Sequence, residues 1–270
     1  MKTTRRYKQS LPLRGEKKIK KQKAKSKIIL TIFLFFVLIV GFLLFLIFKV
    51  FSLDKFIYVS KTSDNLTEIV VVDPKKDKNI IYRIPAGTVL TSSRGLGEYK
   101  IESLWILAKK ENFEGKLVSE SISSNYFIPL YLWKDGLKTN LNIFQRVKVF
   151  FNKYQNNNKD LELMSFDLPS STLIDFIDND IQEAGLSVEL NDLTGDQYVI
   201  KYVSSILGNL GTKISNYTKG YEEDFDCEIY GSNTNAVKVI ANIFDCKINK
   251  EDVTTSDIKI KLGGKFADRF

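Results

Sequence analysis

The sequence predicts a mixed α/β (α+β) fold class: a single N-terminal transmembrane helix followed by two small mixed α/β domains. Three observations carry this. A charge-free apolar run fills residues 28–48. Strand-like and helix-like periodicities alternate from residue 54 onward. A connecting segment at 170–185, just after Pro169, then separates two such alternations.

The apolar run, IILTIFLFFVLIVGFLLFLIF, has 21 residues bracketed by Lys27 and Lys49. At 1.5 Å per residue it covers a bilayer core of about 30 Å, and inside lipid only a helix satisfies its backbone. A cleaved signal peptide would have an apolar region of roughly 7–15 residues and a small-residue cleavage site. Here the run is longer and KVFSLDKF follows it, so the reading is a retained anchor.

The net charge of +8 is confined to a tail. Residues 1–27 hold twelve Lys/Arg against the single acid Glu16, and the rest of the chain is net negative. The basic flank keeps the N-terminus cytoplasmic and places residues 49–270 outside, in a single-pass cell-membrane topology. It also attracts anionic lipid. Tyr7 alone interleaves these cations, so base stacking has no platform and no nucleic-acid partner is expected.

Composition excludes whole classes of chemistry. The chain has 270 residues, 44% of them hydrophobic, enough for one or two domains beyond the anchor. It has no histidine and two cysteines. That removes Ser-His-Asp and Cys-His catalysis, His-ligated zinc and a four-thiolate zinc site within one chain. Acid–base work would fall to Asp, Glu, Lys or Tyr.

Residues 54–169 form the first outer domain. FIYV (56–59) is a short strand. TEIVVVD (67–73) and NIIYRI (79–84) form a hairpin whose turn starts at Asp73-Pro74. EYKIESLWILAKK (98–110) is an amphipathic helix with Ile101, Leu104, Trp105 and Ala108 on one face, and a second helix is placed at 114–123. YFIPLYLW (126–133) reads as a buried strand, 141–154 as a helix, QNNNKD (155–160) as a loop and LELMSFDL (161–168) as a strand. Residues 170–185 form a connecting helix closed by Gly185.

Residues 186–270 form the second outer domain. LSVELND (186–192) is a strand and 196–209 a helix with Tyr198, Val199, Tyr202, Val203 and Ile206 on one face. Strands follow at 212–216 and 225–230, then a helix at 232–246 with Ser232 and Asn233 as cap candidates, and a last strand at 257–262. This βαββαβ order predicts a small sheet with helices on one or both faces.

This second domain resembles the LytR C-terminal domain of bacterial cell-envelope proteins. The resemblance rests on VELND-L-TG (188–195), EIYGSNTNAVKVIANIF (228–244) and SDIKIKLGGKF (256–266), with IDNDIQEAGL before them. Residues 54–168 resemble a short, degenerate LytR-CpsA-Psr (LCP) domain, through TEIVVVDPKKDKNIIYRIPAGT, YKIESLWILA and NYFIPLYLWKDG. That family transfers glycopolymers from a polyprenyl-pyrophosphate carrier to peptidoglycan, with arginines on the pyrophosphate and an acid on Mg²⁺. The resemblance implies those charges near 65–67 and 86–87, where this chain has Asn65, Thr67, Ala86 and Gly87. Losing pre-organised charge at such a site costs orders of magnitude in rate, so catalytic residues are expected to be none and Mg²⁺ is expected only if a residual phosphotransferase persists.

The candidate ligand residues are Arg83, Arg94, Asn191 and Gly195. Arg83 and Arg94 flank the Ala86-Gly87 tip and are either solvated surface arginines or a grip for phosphate. Asn191, Thr194 and Gly195 form the turn into helix 196–209 and cap it; a ligand role there would use the affinity of helix N-termini for anions. SSRGLG (92–97) lacks the strand-to-helix context of a phosphate loop. Cys227 and Cys246 are either a disulfide or two buried thiols. Metal ligands are expected to be none. Expected partners are membrane lipid through the anchor and peptidoglycan, an envelope glycopolymer or another envelope protein.

Overall fold

A computed structural model describes residues 31–42, 44–45, 48–49, 53–62, 64–76, 78–152, 158–162, 174–232, 234–249 and 256–270. The chain divides into two units, Met1–Phe51 and Ser52–Phe270.

In the first unit, helix α1 covers 31–42, 44–45 and 48–49. Its large apolar side chains are exposed, Phe36 at 62% and Leu38 at 69%. Among the described residues no helix is long and apolar enough to cross a membrane. The described residues thus give the transmembrane expectation no support of their own. Residues 28–30, 43, 46 and 47 of the expected span lie outside the described residues.

The second unit is mixed α/β. Its first lobe is a six-stranded sheet ordered β7-β6-β1-β2-β3-β8. The strands are β1 (Phe56–Lys61), β2 (Thr67–Asp73), β3 (Lys78–Ile84), β6 (Leu132–Asp135), β7 (Lys138–Thr139) and β8 (Asn158–Glu162). β1, β2 and β3 form an antiparallel meander, with β6 and β8 added in parallel at its two sides. Helices α2 (Ile101–Lys110) and α3 (Gly115–Tyr126) cover one face of the sheet. On the other face Phe56, Tyr58, Val70 and Val72 pack with Leu132, Leu141 and Val149 of α4 (Ile143–Asn152). Cover on both sides explains why β2 reads as a continuous apolar run and not as an alternation.

Several boundaries differ from expectation. Residues Glu98–Lys100 pair as β5 with β4 (Val89–Thr91), so the helix expected from 98 starts at Ile101. The expected strand at 126–133 is mostly not one. Helix α3 continues through Tyr126 because its serines satisfy themselves on helix carbonyls, Ser121 on Leu117 at 2.7 Å and Ser124 on Ser121 at 3.1 Å. Phe127, at φ +54°, then ends the helix. Residues 158–160 of the expected loop lie in β8, and 163–173 lie outside the described residues. Of the expected helix 170–185, the structure shows a 3₁₀ turn at Ile174–Phe176 and α5 (Asn179–Ala184). Asp178 caps α5 at 3.0 and 3.2 Å, and Gly185 closes it at φ +60°.

The second lobe is a five-stranded sheet ordered β10-β9-β13-β11-β12. It uses β9 (Ser187–Asp192), β10 (Lys213–Lys219), β11 (Cys227–Gly231), β12 (Lys247–Asn249) and β13 (Ile258–Leu262). Helices α6 (Gln197–Asn209) and α7 (Thr234–Phe244) cover one face, and α8 (Gly264–Ala267) closes an end through Phe266. The other face is open, and β13 alternates accordingly. Ile258, Ile260 and Leu262 are buried, whereas Lys259 and Lys261 face out to Glu189 and Glu222, each at 2.9 Å. At the sheet edge all seven side chains of β10 are exposed, and a register shift falls between Ile214 and Asn216.

The two lobes bond to each other. Ser123 and Tyr202 share a hydrogen bond of 3.1 Å. The Tyr198 hydroxyl donates to the Ser124 carbonyl at 3.1 Å, and the Asn209 amide donates to the Phe127 carbonyl at 2.7 Å. Tyr198, expected on the buried face of its helix, is 44% exposed and serves this contact.

Candidate functional site

Each candidate residue read from the sequence has a place. Arg83 lies on β3, where its Nε donates to Glu68 of β2 at 3.2 Å. Arg94 is not a solvated tip residue. Its guanidinium donates to both oxygens of buried Glu120 on α3, at 3.0 and 2.8 Å, and lies 4.5 Å over the Phe113 ring. The two arginines thus hold different carboxylates and do not converge.

The positions where the resemblance implies catalytic charge are occupied by structural contacts. Thr67 is 1% exposed, and its hydroxyl accepts the indole N–H of Trp105 at 2.9 Å. Asn65, at φ +61°, sits in the Thr62–Leu66 turn, where it donates its backbone N–H to Thr62 at 3.1 Å. Ala86 and Gly87 form a turn in which Thr88 donates back to Pro85 at 3.0 Å.

Asn191 and Gly195 are separate features. Asn191 lies within β9 on the open sheet face, opposite the face that carries buried Leu190. The expected cap is therefore corrected: Asp196 caps α6, accepting from Tyr198 at 2.7 Å. Asp192 is spent earlier, taking both the amide and the hydroxyl of Thr194. Gly195 turns the chain at φ +72°. The cleft beside it carries Asp196, Glu223 and Asp268, three carboxylates where an anion would need positive charge. Cys227 of β11 and Cys246, just after α7, form a disulfide with Cα atoms 4.8 Å apart.

The larger concave feature lies between the lobes and measures about 450 Å³. Lys116 and Glu120 of α3 meet Asp245 there. Lys116 bonds Asp245 at 2.5 Å and stands 3.9 Å from Glu120. Arg269 adds bonds to Asp245 at 3.2 Å and to Asp226 at 2.8 Å, and its carbonyl accepts the Arg94 amide at 2.7 Å. Burial pushes the Asp245 carboxyl up. The Lys116 hydrogen bond and the charges of Lys116, Arg269 and Arg94 outweigh it and hold the group below the usual carboxylate range.

The rest of the cleft is uncharged. Asn142 and Gln145 cap α4 reciprocally, each side-chain oxygen accepting the other's backbone N–H at 2.9 Å. Tyr131, Leu132, Ile243 and Asn242 line the remainder. Burial raises the Tyr131 phenol, with Asn242 hydrogen-bonding against that shift.

Sequence reasoning missed these residues. Asn142-x-x-Gln145 was a readable capping signal just before an apolar face. Lys116 and Asp245, 129 residues apart, offer no local pattern. Among the described residues there is no group of three or more acids or cysteines placed to hold a metal ion.

The fold and cleft define a two-lobed mixed α/β body joined by an ionic seam. Comparison with family models, curated proteins and solved structures finds no match.

Proposed function

We propose that this chain is a membrane-anchored bacterial cell-envelope protein, related to LytR-type proteins, that presents its two lobes outside the membrane to bind glycan or another envelope protein without phosphotransferase chemistry. One observation carries the reading: the charged and polar groups nearest the family's reactive positions are committed to structural partners. Arg94 is locked on Glu120, Arg83 is paired with Glu68, and the Thr67 hydroxyl is taken by Trp105.

The location rests on three supports. The exposed aromatic and aliphatic side chains of α1 need an apolar environment. The cations before them hold the N-terminus inside. A disulfide suits an oxidising compartment outside the cytoplasm.

Two measurements test the reading. Protease shaving of intact cells should remove residues beyond 52, and protection of them would reverse the orientation. The purified full chain, given a polyprenyl-pyrophosphate glycan donor and Mg²⁺, should transfer nothing but should sediment with isolated peptidoglycan or capture an envelope protein. Turnover lost on Arg83→Ala would favour a residual phosphotransferase instead.

A further inference from the structure

The cleft between the lobes selects a ligand by charge before shape. Its one ammonium, on Lys116, is bonded to Asp245 and stands beside Glu120, and the same two carboxylates are held by Arg269 and Arg94, so its charges are already matched to one another. A phosphate or an acidic sugar entering it meets no unpaired positive charge. Its volume of about 450 Å³ falls within the roughly 300–1,000 Å³ of small-ligand clefts.

The rim supplies neutral donors. Asn142 and Gln145 use their side-chain oxygens to cap α4. Their carboxamide nitrogens have no protein partner among the described residues and carry two N–H donors each. Asn242, on the opposite lobe, hydrogen-bonds the largely buried Tyr131 phenol and keeps a second amide N–H. Leu132 and Ile243, buried and apolar, also line the cleft. Neutral N–H donors around an aromatic and aliphatic floor match a sugar ring, whose hydroxyl oxygens accept at the edge while its C–H face packs against the floor.

We infer that the interlobe cleft binds an uncharged oligosaccharide segment, held by Asn142 and Gln145 from one lobe and Asn242 from the other. This rests on the binding function proposed above and names the ligand class of its site.

The test uses the full chain in detergent micelles, with ligand-observed NMR and calorimetric titration. The probes are N,N′,N″-triacetylchitotriose, maltotriose and inorganic pyrophosphate. At least one neutral trisaccharide should bind and pyrophosphate should not. The double variant Asn142→Asp/Gln145→Glu keeps both capping oxygens, so α4 should form, yet it replaces the free amide nitrogens with carboxylate oxygens. It should weaken sugar binding about tenfold or more with an unchanged circular dichroism spectrum. Asn191→Asp, on the open sheet face, should leave binding unchanged. Binding of pyrophosphate in place of sugar, no binding of either trisaccharide, or equal affinity in the double variant would each overturn the inference. Shaving and peptidoglycan sedimentation of the same variant separate the two claims. A chain still exposed outside and still sedimenting, but with no sugar in the cleft, leaves the proposed function standing without this site.

Discussion

Arg94 grips Glu120 with two hydrogen bonds, of 3.0 and 2.8 Å, from a backbone held at φ +67°. That left-handed conformation costs an ordinary side chain about 1 kcal/mol, and glycine would adopt it freely. A neighbouring glycine, Gly95, shows that the loop accommodates one. The bidentate bond to a carboxylate only 5% exposed offsets the strain. The same residue's amide reaches Arg269 of the second lobe, so an arginine that looks like a phosphate hook fastens the body together.

Arg94→Ala leaves the Glu120 carboxylate buried without its main partner. It should lower unfolding free energy by about 3 kcal/mol. Arg94→Lys should recover only part of that, because an ammonium cannot reproduce the fork. Urea titration of the two variants checks both. A loss under about 1 kcal/mol for Arg94→Ala would mean that the bond contributes little.

Asp245 makes the seam sensitive to acid. Its folded carboxyl lies below the usual range, so its contribution is complete above the unfolded value of about 3.9. The contribution fades as pH falls through the lower folded value. Asp245→Asn should flatten the acid limb of a Tm-against-pH curve and cost no more than about 1 kcal/mol at neutral pH, because solvent screens a half-exposed pair. Asparagine tolerates the left-handed backbone here, φ +53°, so the effect isolates charge.

The Cys227–Cys246 bridge closes a loop across 19 residues. In the chain-entropy account a loop of this length is worth about 3 kcal/mol. Reduction should lower Tm by several degrees, and the serine double variant should match the reduced protein and be insensitive to reductant.

Gly115 allows α3 to start against Trp133. A Cβ built there would fall 2.4 Å from the indole. Gly115→Ala should destabilise by about 2 kcal/mol through forced displacement of the ring and shift the Trp133 fluorescence. Trp105→Phe, which leaves the buried Thr67 hydroxyl without its donor, should cost about 1–2 kcal/mol.

Local chemistry was readable in the sequence where local chemistry decides. The Asp73-Pro74 turn, the Ile101/Leu104/Trp105/Ala108 face and the alternation of β13 all appear as structure. The tail of α3 was misread because Phe127, Pro129 and their apolar neighbours imitate a strand, while the serines that prolong the helix carry no periodic signal. Asn191 and Thr194 are cap-type residues, but Asp196 stands immediately before the helix and takes the amides. The ionic seam was invisible. Its pairs lie 24, 26, 43 and 129 residues apart; tertiary folding within each lobe makes the first three, and only the packing of one lobe on the other makes the last, Lys116 on Asp245.

The edge strand β10 has no strand partner on its outer side among the described residues, and an open row of backbone groups can template fibrils. Lysines stand at both of its ends, and the slipped register after Ile214 puts its spacing out of step with a regular neighbour. Copies crowded side by side on one surface would meet like charge and mismatched carbonyls there, so the protein can be dense without polymerising through that edge.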